Sequence, residues 1–397
     1  MSTKSCMKIN SKLGPCPDIT DIKVVGYYSI VEEEDSVPKR GKKLIIKSDC
    51  SKLRFYKHPN GIINYDLNIT ITRDKVTEKT QALNYMLKWI SENMSVIQEK
   101  DPYGYGGKPH FVSIKGTIGT LLCTPSEKRD GWIICAVKFQ DVIYLSVYKE
   151  DKESQTFWKQ NNHMSKFTKW GFKFEQYVLS ESIMANLECF RRYFMTGPFN
   201  SDSPDSEPKP AQPVVDLEEF CCVFRAQFGK FTLLYRAEID GVKLHNKADD
   251  LLKQKAEFVE VKTNGERYDY AFKHKLRDNH KYIKWWAQSY LANTQTIICG
   301  FRNPTGIVKS IKIFKLSEIE ENIACSDKCK RSALQILTYI HDNVVKNYDE
   351  CIYKFSFDVD QQDTIFMQEL SPSNEKYNFL PKDFIEKAMS YENSNTA

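Results

Sequence analysis

The amino-acid sequence predicts an α/β protein of the α+β type, a single large domain of mixed β-sheets with flanking helices. Three observations carry this. Runs such as "GWIICAV" and "VIYLSV" are apolar but for Ser146 and of strand length, the pattern of buried strands. The runs ending "RAEID" and "FVEVKT" alternate instead, with one face suited to burial. Longer stretches repeat apolar residues every three or four positions, the period of a helix that packs through one side.

In order along the chain, residues 1–20 lack patterning and read as a flexible N-terminus, followed by the domain over 21–385 and a disordered tail over 386–397. "VVGYYSI" is a strand and "VEEEDSVPKRGKK" a charged connector. In "LRFYKHPNGIINYDLNITI" the Asn60-Gly61 pair between two extended runs signals a hairpin. Residues 77–99 set Leu83, Met86, Leu87, Ile90, Met94 and Ile97 at helical spacing. "PYGYGGKP" is a glycine-rich loop that lacks the lysine and following helix of a phosphate cradle. Strands are expected through 111–149, "HFVSIKGTIGTLLCT" included, and a second helix over 171–196. The Pro- and Ser-rich stretch 200–213 reads as a mobile loop within the domain. After the two acidic strands come a helix around "HKYIKWWAQSYLAN", strands "TIICGFR" and "VKSIKIFKL", and a helix from 330 to 346.

Composition narrows the function classes. With 397 residues, 41% hydrophobic and 27% charged, the chain reads as globular and can bury a large core. A net charge of +5 is compatible with a polyanionic partner and decides nothing alone. No apolar run approaches the ~20 residues of a membrane-spanning helix, so no membrane partner is expected. Twelve cysteines without a secretory leader read as reduced thiols in the nucleus or cytoplasm. Cys325 and Cys329 ("CSDKC") have no second pair at zinc spacing. His110, His163, His245, His274 and His280 show no ligand or nucleophile spacing and are expected at the surface. "PKRGKK" at 38–43 has the composition of a nuclear import signal or of an ordinary solvated loop.

The acids hold the chemistry. Glu238 and Asp240 share one face of their run, and Glu260 and Lys262 share one face of the next. An Asp followed about twenty residues later by Glu-x-Lys on an adjacent strand is the spacing of PD-(D/E)xK nucleases. Hydrolysing a phosphodiester calls for hard oxygen ligands to Mg²⁺, which carboxylates supply. One metal, or two roughly 3.5–4 Å apart, activates water and neutralises the leaving oxygen. Lys262 would orient that water or hold charge on the phosphate, and the backbone carbonyl of Val261 would be a further ligand. The pattern alone fits an amphipathic strand with a solvated face at least as well.

Three further segments change the balance. "KWGFKFEQYV" places Glu175 after a glycine-led aromatic run, "KWWAQSYL" puts Gln288 one helical turn beyond Lys284, and "FVSIKGTIGTLLCTP" has Lys115 just before a glycine. In this order, with "RAEID" and "FVEVKT", the series resembles the DXO family of decapping exonucleases, which includes the fungal companion of the nuclear 5′→3′ exoribonuclease. The likeness runs from "GYYS" to "ICGFR", most of the chain.

The resemblance implies a second sheet and a PD-(D/E)xK-like nuclease core. It implies two divalent cations, Mg²⁺ or Mn²⁺, held by Glu175, Asp240, Glu260 and the carbonyl of Val261, with Glu238 in the same acidic cluster. Glu175, Glu238, Asp240, Glu260 and Lys262 would then be catalytic, with Lys115, Glu175, Lys262 and Gln288 on the substrate. The substrate implied is the single-stranded 5′ end of RNA: an unmethylated guanosine cap, a 5′ triphosphate or an NAD cap is removed to leave 5′-monophosphate RNA. Decay in the 5′→3′ direction, a 5′→3′ exoribonuclease partner and a nuclear location follow from the same likeness. One departure is Lys115, where the family has arginine in a W-R-G context; lysine keeps the charge but not the planar fork that grips phosphate. Weaker substrate positioning is the expected result. A catalytically inactive RNA-end-binding scaffold is the alternative, and a DNA nuclease the third reading. By themselves, Trp285 and Trp286 read as core packing, and Glu175 as an acid at a helix start, where the dipole favours it.

Overall fold

The computed structural model describes residues 4–10, 16–33, 44–68, 71–73, 79–98, 107–148, 162–181, 208–212, 214–215, 218–243, 249–268, 280–323, 325–361 and 363–396. The first strands are β1 (Lys4–Lys8), β2 (Ile19–Glu32), β3 (Leu44–Lys47), β4 (Arg54–Tyr56), β5 (Tyr65–Asp66) and β6 (Ile71–Arg73). Then come α1 (Lys79–Glu92), β7 (Phe111–Ile114), α2 (Lys115–Cys123), β8 (Trp132–Phe139), β9 (Val142–Tyr148), α3 (Asn162–Val178) and β10 (Leu179–Glu181). The middle holds β11 (Val214–Val215), β12 (Glu219–Phe228), β13 (Phe231–Glu238), β14 (Gly241–Lys243), the single turn α4 (Asp249–Leu252), β15 (Phe258–Gly265) and α5 (His280–Leu291). The last are β16 (Thr296–Arg302), β17 (Ile307–Lys315), α6 (Leu316–Asn322), α7 (Ser326–Asn343), β18 (Ile352–Phe357), β19 (Thr364–Leu370) and α8 (Lys382–Thr396).

Two large mixed sheets organise these elements. The first runs β1-β19-β18-β8-β9-β7-β13-β12-β2-β3 and the second β10-β4-β14-β15-β16-β17-β5, with β11 and β6 paired separately. The chain passes from one sheet to the other through Ile239 and Asp240, between β13 and β14. Tyr235, Ala237 and Ile239 turn into a core shared with Phe258 and Cys299 of the second sheet and Trp286 of α5. On the opposite side of the first sheet, Leu234 and Val223 pack with Leu83, Met86 and Ile90 of α1 and Phe384 and Ala388 of α8. On the outer side of the second, Val259, Val261 and Ile298 meet Trp170, Phe174 and Val178 of α3. Alternation along β15 then turns Glu260 and Lys262 to the inner side. The mixed α/β class expected from sequence is what the structure shows.

Several local expectations are corrected. The N-terminus is not loose throughout, because β1 pairs antiparallel with β19 and closes one sheet edge. That partner lies more than 350 residues away, so no local pattern announces it. The tail expected to be disordered continues α8, whose Phe384 and Ala388, one turn apart, are buried. Gly61 adopts φ +95°, yet β4 and β5 do not form a hairpin; they sit towards opposite ends of the second sheet. Residues 115–123 are helical rather than extended, with Ile118, Leu121 and Leu122 buried on one helical face. The helix expected over 171–196 spans 162–178 and gives way to β10, which pairs with β4.

Of the stretch 200–213, the described part 208–212 is anchored. The fully buried Lys173 ammonium donates to the carbonyls of Pro210 (2.8 Å) and Gln212 (3.0 Å) and to Gln176 (2.6 Å). The segment 38–43, the loop 102–106, His245 and His274 lie outside the described residues, as does the His163 side chain. His110 is half-buried rather than exposed, its Nδ1 accepting the Thr232 N–H at 3.0 Å.

Gly300 fixes the seat of α3. A Cβ there would lie 2.6–3.0 Å from the Phe174 ring. Gly300→Ala is expected to lower the urea midpoint by an amount worth about 1–3 kcal/mol, overpacking outweighing the ~0.4–1 kcal/mol gained from a stiffer unfolded chain. An unchanged or raised midpoint would refute this packing.

Candidate active site

Four acids come from four places. Glu238 ends β13, Asp240 lies in the crossing, Glu260 is on β15, and Glu175 is in the last turn of α3. Asp240 is therefore not on a strand beside β15; β14 is the strand that pairs there, Gly241 opposite Val259. Freed from any ladder, the Asp240 carboxylate accepts the Val261 N–H at 2.7 Å. Glu175 is also corrected: it sits at the end of its helix, where the dipole disfavours an acid. Arg54 compensates. Its guanidinium donates to Glu175 Oε2 (2.8 Å) and, through Nε, to the Asp240 backbone carbonyl (3.1 Å).

Lysines complete the cluster. Lys262 Nζ lies 2.5 Å from Glu260 Oε1, while Lys115 Nζ is 3.8 Å from Glu260 Oε2 and donates to the Glu238 carbonyl at 3.1 Å. Burial pushes the Glu260 carboxyl up, but Lys262 and Lys115 outweigh it and hold it below its ordinary value. Burial also pulls the Lys262 amine down, and Glu260 and Asp240 outweigh that, so it stays an ammonium. Asp240 goes the other way. Burial first, then the charges of Glu260 and Glu175, raise it to about 8. Glu175 is raised as well, by burial against the pull of Arg54, with Glu238 adding to the rise.

The donor set suits a hard divalent cation: carboxylate oxygens, plus strong mutual repulsion that a cation would relieve. As the side chains stand, no three carboxylate, histidine or cysteine groups among the described residues converge on one ligating point. Arg54, Lys115 and Lys262 hold their oxygens instead.

Beside the cluster opens a cleft of about 1460 Å³, with Lys262 and Gln288 in its wall. Eight Lys or Arg residues line it against two Glu. Gln288 is exposed on the face of α5 that also carries Lys281 and Lys284, as its spacing required. Trp286 is fully buried and stacks on Tyr290, the core role expected of it. Sequence reasoning brought Glu175, Glu238, Asp240, Glu260, Lys262, Lys115 and Gln288 to one region, but missed Arg54, Glu127 and Arg302. His280, expected at the surface, is one of the residues lining the cleft; its Nε2 lies 3.0 Å from Glu127 Oε2. Glu127 Oε1 accepts the backbone N–H groups of Lys128 and Arg129, both at 3.1 Å. Burial raises the Glu127 carboxyl, but His280, the Arg129 N–H and Lys284 outweigh it and bring it down to about 2. None of these three residues had a periodic signal of its own.

The raised Asp240 sets a pH dependence. Between its ordinary value of 3.8 and about 8, the folded chain holds a proton that the unfolded chain has released. Stability therefore falls as pH rises through that window. Asp240→Asn keeps an oxygen for the Val261 N–H without the charge. At pH 8.5 in chelator it should melt on the order of 2 °C above the wild type, with the gap closing towards pH 4. A variant that melts lower at pH 8.5 would contradict the raised carboxyl.

A family model described as "RAI1 like PD-(D/E)XK nuclease" matches residues 23–385. The "Decapping and exoribonuclease protein" of Rattus norvegicus is 27% identical over 350 residues, covering 85% of this chain and 80% of that protein. Candida albicans Rai1, solved in complex with pU5-Mn²⁺, superposes with TM-score 0.71 at 18% identity, covering 98% of this chain and 99% of that one. Scheffersomyces stipitis Rai1, solved with (3′-NADP)⁺ and a calcium ion, gives TM-score 0.70 at 16% identity, covering 96% and 98%. The strand-and-helix order, the acid–lysine cluster at the sheet crossing and the match over 23–385 lead to one conclusion: this chain belongs to the RAI1-like PD-(D/E)XK nuclease family.

Proposed function

We propose that this chain is a divalent-metal-dependent hydrolase of RNA 5′ ends, removing an incomplete guanosine cap, a 5′ triphosphate or an NAD cap to leave 5′-monophosphate RNA. The observation that supports it most is the position of Lys262. It ion-pairs with Glu260 inside the acidic cluster and also forms part of the wall of the basic cleft. The bound metal in the Candida relative and the dinucleotide and calcium ion in the Scheffersomyces relative support the same reading.

Glu175, Asp240, Glu260 and the Val261 carbonyl would hold Mg²⁺ or Mn²⁺, with Glu238 close by. The ion would lower the pKa of a bound water and neutralise charge on the leaving oxygen. The chain's own groups then have separate tasks. Asp240 must release its proton to become a ligand, so metal affinity should rise as pH approaches 8. Lys262, held as an ammonium, is a charge donor to the phosphate and not a base. Gln288 offers an amide to the 5′ nucleotide from the cleft side. Water adds to phosphorus as the bond to the leaving phosphate oxygen breaks, giving 5′-monophosphate RNA and the released cap or pyrophosphate.

The scaffold reading has one observation in its favour. Lys115 is spent on the Glu238 carbonyl and Glu260, leaving less of it for substrate. Purified protein with Mn²⁺ and 5′-triphosphate RNA separates the two: pyrophosphate release supports the hydrolase, and no release after prolonged incubation supports the scaffold. Across differently capped RNAs, the Asp240→Ala/Glu260→Ala double variant should lose at least about 10²-fold in rate while keeping its circular dichroism. Retained activity in that variant would reject the site.

A further inference from the structure

Arg302 ends β16 and opens the tight turn 303–306, with the Asn303 side chain accepting the N–H groups of Thr305 (3.0 Å) and Ile307 (2.9 Å). Its guanidinium rests on a pair of adjoining aromatic rings, 4.4 Å from the Phe167 centroid and 4.5 Å from that of Trp170, the two rings themselves 5.5 Å apart. Trp170 cannot swing away: it is 2% exposed, and a Cβ on Gly306 (φ +89°) would touch its indole at 2.5 Å. Among the described residues no carboxylate pairs with Arg302, and its Nε is buried without an acceptor. A planar cation whose buried Nε has no acceptor among the described residues is suited to grip an anion.

Lys281 links Arg302 to the acidic cluster. Its amine donates to Asn264 Oδ1 (2.9 Å) and lies over the Trp285 ring at 5.1 Å. Desolvation, with the like charges of Arg302 and Lys262 adding to it, brings its amine down to about 8. Lys262, Lys281 and Arg302 all line the cleft, with Lys281 within reach of the charge of both others. Glu260 answers Lys262 within the acidic cluster, but the repulsion between Lys281 and Arg302 remains. A ligand with a regular series of negative charges would relieve it.

We infer that Lys281 and the ring-backed Arg302 form a phosphate rail that grips the RNA backbone on the 3′ side of the reacting 5′ end. The rail rests on the RNA 5′-end reading and adds the path by which the rest of the strand leaves the site. It makes Arg302 a positioning residue: it acts on substrates several nucleotides long and is indifferent to the shortest ones.

The test is fluorescence anisotropy in EDTA, where nothing is cleaved, with 5′-phosphorylated oligouridylates of two, five and ten nucleotides. Wild-type affinity should rise from the dimer to the pentamer. Arg302→Gln should bind the pentamer about 10-fold more weakly, one lost charge-assisted contact, and the dimer unchanged. Its salt slope on the pentamer should drop by about 0.7. Arg302→Lys should recover only part of the loss. Because removing the Arg302 guanidinium could disturb the packing of Trp170, Lys281→Gln on an exposed helix face serves as the second variant, expected to show the same length-dependent loss. If both glutamine variants match wild type at every length and salt, the rail is wrong. Loss confined to longer RNA supports it even if wild-type enzyme with Mn²⁺ releases nothing from capped or triphosphorylated RNA, a result that would overturn the hydrolase reading alone.

Discussion

Asp240 couples the two sheets where the chain passes between them. Its carboxylate accepts the Val261 N–H and its backbone carbonyl accepts Arg54 Nε, so one residue ties the crossing to β15 and to β4. β14 then aligns with β15, and the alternation of β15 turns Glu260 and Lys262 inward while Val259 and Val261 pack under α3. Through Phe174 that same packing sets Glu175 opposite Arg54. Displacing the crossing by one residue would put a carboxylate into the apolar layer and an isoleucine at the site.

The charge balance explains why the cluster tolerates burial. Among the described residues, Arg54, Lys115 and Lys262 stand among the four carboxylates, and Arg236 also acts on Glu238. The proton that burial and the neighbouring acids hold on Asp240 lowers the negative charge further. Buried ion clusters of this kind add little net stability, yet removing one member leaves an uncompensated charge that costs about 3–5 kcal/mol. The proton on Asp240 thus does the work of a positive charge in a cluster that burial deprives of solvent.

The sequence disclosed the elements whose signal is local. Helix α1, β8, β9, β15, β16 and α5 stand where periodicity put them, and the face-sharing of Glu260 with Lys262 follows from alternation alone. Elements decided by distant partners stayed hidden. β1 depends on β19, the sheet positions of β4 and β5 depend on strands far along the chain, and α2 follows directly on a strand in a run with two glycines. The site divided in the same way. Acids arranged in motifs could be read, and the likeness of "GFKFE" and "WWAQS" to known motifs added Glu175 and Gln288. Arg54 and Arg302 could not be read, because a lone arginine at a strand end means nothing until the fold shows what it touches.

Lys173 has a quieter consequence. Its ammonium fastens Pro210 and Gln212 to the same helix that presents Glu175, two positions on. Chain inserted or deleted upstream of Pro210 re-enters the fold at that fixed latch, so its length is decoupled from the geometry of the acids.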